Sequence, residues 1–223
     1  MEVWYTVVKF FSNGGVFMYP IVLVLALGVA IAVERYITLT LVAKKNRETW
    51  ARLEPIVRKG EFEEARDLAN KDDSTIAQLL SAGLARQGAV RRREDIDRAM
   101  EETLMAIIPR VEKRTHYLAT FANMSTLAGL LGTIIGLIDA FTAVSNASVA
   151  DKAELLSASI SIGMNCTAFG LMVAIPLVLV HSLLQTKTTE LIDSLEMVSV
   201  KIVNSIAERA HYMRPAIKTA EAA

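Results

Sequence analysis

Three long apolar stretches constrain how this sequence can fold. They span residues 16–33, 116–147 and 155–186, and Asp139 is the only charged residue inside them. A helix that crosses a bilayer needs about 20 apolar residues, so each stretch is long enough for one span or nearly so. The other charged residues lie in blocks between the stretches, as is typical of membrane proteins. The pattern predicts an all-α membrane protein with three transmembrane helices and long cytoplasmic helical extensions.

Segment boundaries follow from these stretches. We predict a periplasmic or interfacial segment (1–15), a first span (16–35), a cytoplasmic helical region (36–115), a second span (116–146), a periplasmic loop (147–154), a third span (155–186), and a cytoplasmic C-terminal helix and tail (187–223). The aromatic N-terminal segment suits a membrane interface. It has no basic n-region, and no cleavage pattern follows the first stretch, so we expect that stretch to remain as a helix.

The polar region contains its own signals for helix ends. Gly60 should separate two helices, and the Asp-Asp-Ser sequence at 72–74 is typical of a helix N-cap. After the arginines at 91–93, apolar residues recur at helical spacing and predict an amphipathic helix. Pro109 should kink this helix without necessarily ending it.

The distribution of basic residues predicts the orientation. Segments 34–115 and 187–223 contain 17 and 5 Lys and Arg, whereas the N-terminus and the loop between the last two spans contain one each. Basic residues favour the cytoplasmic side, so the N-terminus should lie outside and the C-terminus in the cytoplasm. The formal net charge is zero, which gives no reason to expect a nucleic-acid partner.

The second and third stretches share one pattern of small residues. Residues with the same type and spacing occur in both: Gly129, Thr133, Gly136 and Ala140, and then Gly163, Thr167, Gly170 and Ala174. The steps of four, three and four place each set on one helix face. Two interpretations stay open. The faces either pack against other helices, with each threonine bonding its own backbone, or line an ion pathway with a hydroxyl at the centre.

Three further polar residues in these stretches are candidates for function. A charged Asp139 at mid-membrane would cost about 2.5–3.5 kcal/mol, so it should lie near the outer interface, face a wet cavity or be protonated. It is either an interface residue or a funnel that collects cations at an outer pore mouth. Ser161 and Asn165 are four residues apart, and we expect them to hydrogen-bond a neighbouring helix, with ion contact as the alternative.

Signatures of soluble enzymes are absent from the sequence. It contains no glycine-rich phosphate loop, no cluster with metal-ligand spacing, and no convincing nucleophile with an adjacent base. We therefore predict that the protein is not an enzyme and needs no cofactor or metal.

Two motifs resemble the MotA/TolQ/ExbB family of ion-channel subunits. They are LAGLLGTIIGLIDAF at 127–141 and NCTAFGLMVAIP at 165–176, and the resemblance extends over essentially the whole chain. It implies a subunit of a motor in the bacterial inner membrane, assembled as a homopentamer around a dimer of single-span ExbD/TolR-like partners. Ion flow along a membrane Asp of the partner would drive the motor. Thr133 and Thr167 match the pore-lining threonines of the family.

The sequence departs from the family pattern at two places. Ser125-Thr126 stands where many ExbB and TolQ relatives have a proline, and Ile162 stands where many have a glutamate. Without that glutamate, the partner's Asp would be the main titrating group.

The resemblance implies that the chain helps to convert ion motive force into mechanical work on the cell envelope. The short 34–115 region favours an ExbB- or TolQ-like protein over a flagellar one, but the powered process stays open, as does H+ against Na+. The alternative is a three-span scaffold that recruits a partner without conducting ions.

Overall fold

A computed structural model describes residues 14–85, 93–148 and 150–220. These residues form helices and no strand, which confirms the all-α prediction for this part of the chain. The helices are α1 (Met18–Lys59), α2 (Phe62–Ala69), α3 (Thr75–Ala85), α4 (Arg93–Glu112), α5 (Thr115–Asn146) and α6 (Lys152–Ala220). Most of the predicted interfacial segment at 1–15 lies outside the described residues.

Three stretches of helix are long and apolar enough to cross a membrane. They are Met18–Lys59, Glu94–Ser145 and Lys152–Ala207. With a rise of about 1.5 Å per residue, the 42 residues of α1 extend over roughly 63 Å, about twice the thickness of a bilayer's hydrocarbon core. By length and composition the three predicted spans are therefore confirmed, while their exact limits and the orientation stay predictions.

The chain divides into two compact units. The first unit contains the most apolar parts of the long helices. It comprises the described residues up to Arg35 together with Arg114–Gln185. Gly28 of α1 lies so close to α6 that a Cβ atom there would be 2.7 Å from a Leu177 methyl group. Large apolar side chains such as Leu127 and Ile134 point outwards and are about half exposed, which suits a surface covered by lipid.

The second unit is a helical bundle with a conventional apolar core. It comprises Tyr36–Lys113 and Thr186–Ala223, and so includes α2, α3 and α4 with parts of α1 and α6. The buried side chains of this unit include Leu53, Val57, Leu79, Leu80, Met100, Leu195 and Ile202. On its surface the Lys201 ammonium lies 3.6 Å from the Glu54 carboxylate and above the Trp50 ring, which joins α6 to α1.

The helix ends of the polar region confirm the predictions for Gly60 and Ser74. Gly60 separates α1 from α2, and its φ of 75° is one that glycine adopts without a steric penalty. The Ser74 hydroxyl accepts a hydrogen bond from the Ala77 N–H at 3.2 Å and caps α3. Pro109 lies inside α4 and does not end it.

One continuous helix, α6, covers both the predicted third span and the predicted C-terminal segment. It has 69 residues, and no glycine or proline occurs between residues 177 and 214 to interrupt it. The sequence therefore gives no physical reason for a break at 186.

Candidate functional site

The candidate site is the contact between α5 and α6, where the two predicted small-residue faces meet each other. The glycines bring the backbones together. A Cβ atom added to Gly129 would lie 3.1 Å from the Thr167 Cα, and one added to Gly136 would lie 3.1 Å from the Gly163 Cα. A Cβ atom added to Gly163 would lie 3.0 Å from the Thr133 Cα, and one added to Gly170 would lie 3.1 Å from the Gly129 Cα. These atoms belong to backbones, which cannot move aside as a flexible side chain can. All four glycines therefore permit close packing of the two helices.

The two threonines join the helices through their hydroxyl groups. Thr167 donates a hydrogen bond to the Gly129 carbonyl at 2.8 Å, and Thr133 donates to the Gly163 carbonyl at 3.2 Å. The Thr133 hydroxyl also lies 3.4 Å from the Gly129 carbonyl in its own helix. The two hydroxyl groups also lie directly next to each other. Both threonines are partly buried, and they form one pair at the centre of the contact.

Ser125 contributes a third hydroxyl to this contact. Its side chain is completely buried, and its Oγ donates a hydrogen bond to the Gly170 carbonyl at 2.9 Å. The sequence pattern did not single out this residue. The available signal was its spacing, because Ser125 lies four residues before Gly129 and therefore on the same face of α5.

The geometry bears on both interpretations of the small-residue faces. The glycines pack helix against helix within one chain, which agrees with the packing interpretation. The threonines do more than bond their own helix, because each also bonds a carbonyl of the opposite one. A role of Thr133, Thr167 and the four glycines in an ion pathway stays a prediction.

Asp139 is not brought together with the threonine pair. It is exposed near the C-terminal end of α5, six residues after Thr133, which is a rise of about 9 Å. In the described part of the chain its carboxylate has no hydrogen bond or ion pair. Ile162 is 41% exposed.

Ser161 and Asn165 lie on α6 away from its buried contact with α5. Ser161 is exposed and Asn165 is half-buried. Neither side chain has a hydrogen-bond partner among the residues that the structure describes. Their predicted bond to a neighbouring helix therefore stays a prediction.

Metal-ligating side chains do not gather in the described ranges, where no group of three or more His, Cys, Asp or Glu could hold an ion. Cys166 is buried in the contact of α5 with α6, next to Gly132.

The contact between α5 and α6 falls within a sequence match to a known family. Residues 71–197 match the sequence model of the MotA/TolQ/ExbB proton channel family, which is more than half of the chain. The chain belongs to this family. The matched stretch contains all of α5 and both threonines, and it confirms the resemblance seen in the two motifs.

Individual ExbB and TolQ proteins are also similar in sequence to this chain. A biopolymer transport protein of Synechocystis, ExbB-like, is 31% identical over 191 residues, which are 82% of this chain and 72% of that protein. An ExbB homologue of Methanothermobacter thermautotrophicus is 26% identical over 86% of this chain and 68% of its own length. The Tol-Pal system protein TolQ of Haemophilus influenzae is 36% identical over 90 residues, 40% of this chain and 39% of that protein.

These family names are those of channel and transport proteins, not of enzymes. Together with the three apolar helices, membership of the MotA/TolQ/ExbB family points to a multi-pass protein of the inner membrane.

Proposed function

We propose that this chain is the ion-channel subunit, conducting protons, of an inner-membrane motor. The motor converts ion motive force into mechanical work on the cell envelope through a single-span ExbD/TolR-like partner. The chain forms a homopentamer around a dimer of that partner, whose membrane Asp is the main titrating group. The observation that carries the proposal is the family match over both helices that contain the threonine pair.

The energy available to such a motor is substantial. One proton that crosses the membrane potential releases about 2.3 kcal/mol per 100 mV. To convert this energy into movement, the partner must move against a wall that neither traps it with fixed charges nor blocks it with long side chains. Apart from Asp139, residues 116–146 of α5 and 155–186 of α6 contain no Asp, Glu, Lys or Arg. The wall is therefore weakly polar.

Thr133 and Thr167 provide the polar groups at the centre of this wall. Each hydroxyl has one proton, and the Thr167 proton is used in the bond to the Gly129 carbonyl. Hydroxyl lone pairs can still accept a hydrogen bond from water or from a protonated carboxyl group, or contact a cation. The pair can therefore contribute to an ion path while it holds the two helices together.

Removing both hydroxyls tests the proposal. We expect Thr133→Val with Thr167→Val to abolish ion-driven work, because valine keeps the shape of threonine but cannot accept a hydrogen bond. The measurement is proton flux into proteoliposomes that contain the purified complex with its partner, under an imposed potential. Repeating it with a Na+ gradient determines which ion is conducted.

A matched control uses two exposed hydroxyls, each of which donates to a carbonyl of its own helix. Thr120 and Thr142 donate to the carbonyls of His116 and Ile138, respectively, and both are exposed. Thr120→Val with Thr142→Val should leave flux unchanged. Normal flux in the Thr133 and Thr167 double variant would disprove the proposed role of the pair. A complex that assembles but conducts no ions, even with both threonines present, would instead identify the chain as a scaffold.

A further inference from the structure

Three hydroxyl groups connect α5 and α6, and each donates to a glycine carbonyl of the opposite helix. Ser125 bonds Gly170, Thr167 bonds Gly129, and Thr133 bonds Gly163, at 2.9, 2.8 and 3.2 Å. The donors alternate between the helices along the contact, from Ser125 on α5 to Thr167 on α6 and back to Thr133 on α5. We call these three bonds the hydroxyl ladder.

The glycines make the hydroxyl ladder possible. A carbonyl in the middle of a helix already accepts a hydrogen bond from its own backbone. A second donor can approach that carbonyl only where no side chain covers it, as at a glycine. At Gly170 the fit is closest, since a Cβ atom would lie 2.7 Å from the Ser125 carbonyl oxygen. Ser125 is fully buried at this point, so neither lipid nor water competes for its hydroxyl.

We infer that Ser125 is a positioning residue for the Thr133–Thr167 pair. Its hydrogen bond lies at the end of the ladder opposite Thr133. There it fixes how far α6 is shifted along the axis of α5. Sliding α6 along α5 would break the Ser125 bond and separate the two threonine hydroxyls at the same time, because all three bonds share one register. The inference rests on the proposed function for its effect on ion flux, but not for its effect on the threonines themselves.

The first test observes the threonines directly and needs no ion flux. Methyl-labelled threonine gives NMR signals for Thr133 and Thr167 in the detergent-solubilised chain. Ser125→Ala should shift or broaden both signals, because both side chains lose their fixed register. Thr120→Val removes a hydroxyl that bonds within its own helix and should leave them unchanged. Unchanged Thr133 and Thr167 signals in Ser125→Ala would overturn the inference.

The second test measures proton flux with the partner present. One interhelical hydrogen bond changes an equilibrium by about threefold on average, so Ser125→Ala should reduce flux by about that factor. If Ser125 acts through the pair, the same change should add no further loss in a Thr167→Val background. A full additional loss, or normal flux in Ser125→Ala alone, would contradict a positioning role.

The two tests separate the inference from the proposed function. If flux survives Thr133→Val with Thr167→Val, the proposed ion pathway is wrong. The NMR result then still decides whether Ser125 positions the threonines. If flux does depend on the threonine pair, and the NMR signals move in Ser125→Ala while flux in that variant does not change, the bond only stabilises the hairpin and the positioning role is rejected.

Discussion

Gly170 is the glycine at which an added Cβ atom would come closest to a backbone atom of the opposite helix. A Cβ atom there would lie 2.7 Å from a backbone oxygen of Ser125, so the helices must separate to admit it. We expect Gly170→Ala to lower the free energy of unfolding by about 1–3 kcal/mol, as overpacking does. Thermal unfolding of the detergent-solubilised chain measures this.

Gly28 gives a matched control for Gly170. It also lies in an apolar helix, and an added Cβ atom would again come within 2.7 Å of a neighbour, but this neighbour is the end of the Leu177 side chain. That side chain can rotate away, so Gly28→Ala should cost much less. Equal losses of unfolding free energy at the two glycines would show that contact with a backbone atom does not explain the loss at Gly170.

Asp72 makes the second unit sensitive to acid. Burial by itself would raise the pKa of this carboxyl group. Hydrogen bonds from the Ser74 N–H and the Thr49 hydroxyl, together with the charge of Lys45, outweigh burial and hold the pKa below its ordinary value. The folded state therefore binds this proton less readily than the unfolded state. The stability that Asp72 contributes is complete above the ordinary pKa of about 4 and disappears as pH falls through the lower, folded value.

The expected result is a thermal midpoint that falls as pH is lowered from 6 to 3, with a smaller fall in Asp72→Asn. The adjacent Asp73 is the control, because its carboxylate has no hydrogen bond or ion pair among the described residues. Asp73→Asn should keep the wild-type dependence on pH. If Asp72→Asn also keeps it, another group is responsible.

At the scale of elements, the junction between α4 and α5 is unusual. Arg114 has a φ of 68°, and it is the only residue other than glycine with a positive φ in the described ranges. Its guanidinium lies 3.4 Å from the Glu34 carboxylate. Both Arg114→Gly and Arg114→Ala remove this ion pair, but only glycine relieves the left-handed backbone. The glycine variant should be more stable than the alanine variant by about 1 kcal/mol in thermal unfolding.

Lys113 is the control for this comparison. It is the neighbouring residue, and its φ is not positive. There the order should reverse, with alanine at least as stable as glycine, since glycine has the greater freedom in the unfolded chain. The same order at both positions would mean that backbone conformation does not explain the result at Arg114.

The helices show how far sequence alone predicts elements. Periodicity and composition identified α5 and the small-residue face on it, and Gly60 and Ser74 were recognised because their chemistry ends or begins helices locally. The sequence does not identify the helix against which each face packs. The spacing of Gly129 and Thr133 states which residues share a face, but it does not state what that face contacts. The structure shows that it contacts α6 of the same chain.

Ser125 was missed for a related reason. A serine in an apolar helix commonly bonds its own backbone, and only the position of Gly170 on the other helix distinguishes it. The membrane limit near residue 186 stays a prediction, because α6 is continuous there and the continuity of a helix does not mark where a membrane ends. A contact between two segments that are distant in the sequence cannot be predicted from the local pattern of either segment alone.

At the scale of the whole assembly, Asp139 is the acid that several copies would bring to one place. In the proposed pentamer, five exposed carboxylates near the outer ends of the α5 helices would attract cations to the mouth of the pathway. Attraction between exposed charges is screened by salt over about 10 Å at 0.1 M. Asp139→Asn should therefore reduce ion flux at low ionic strength and have little effect at high ionic strength, where the wild type is screened as well.

Asp151 allows this effect to be separated from a general loss of negative charge. It lies beyond the end of α5, and its carboxylate accepts a hydrogen bond from the Ser148 hydroxyl at 2.7 Å. Asp151→Asn removes an equal charge from the connection that follows α5, so its flux should follow the wild type at each salt concentration. If Asp139→Asn also follows the wild type, Asp139 is an interface residue that takes no part in collecting ions. A reduction that is equal at low and high salt would place Asp139 in the conduction path itself, because screening weakens long-range attraction but not direct contact with the ion.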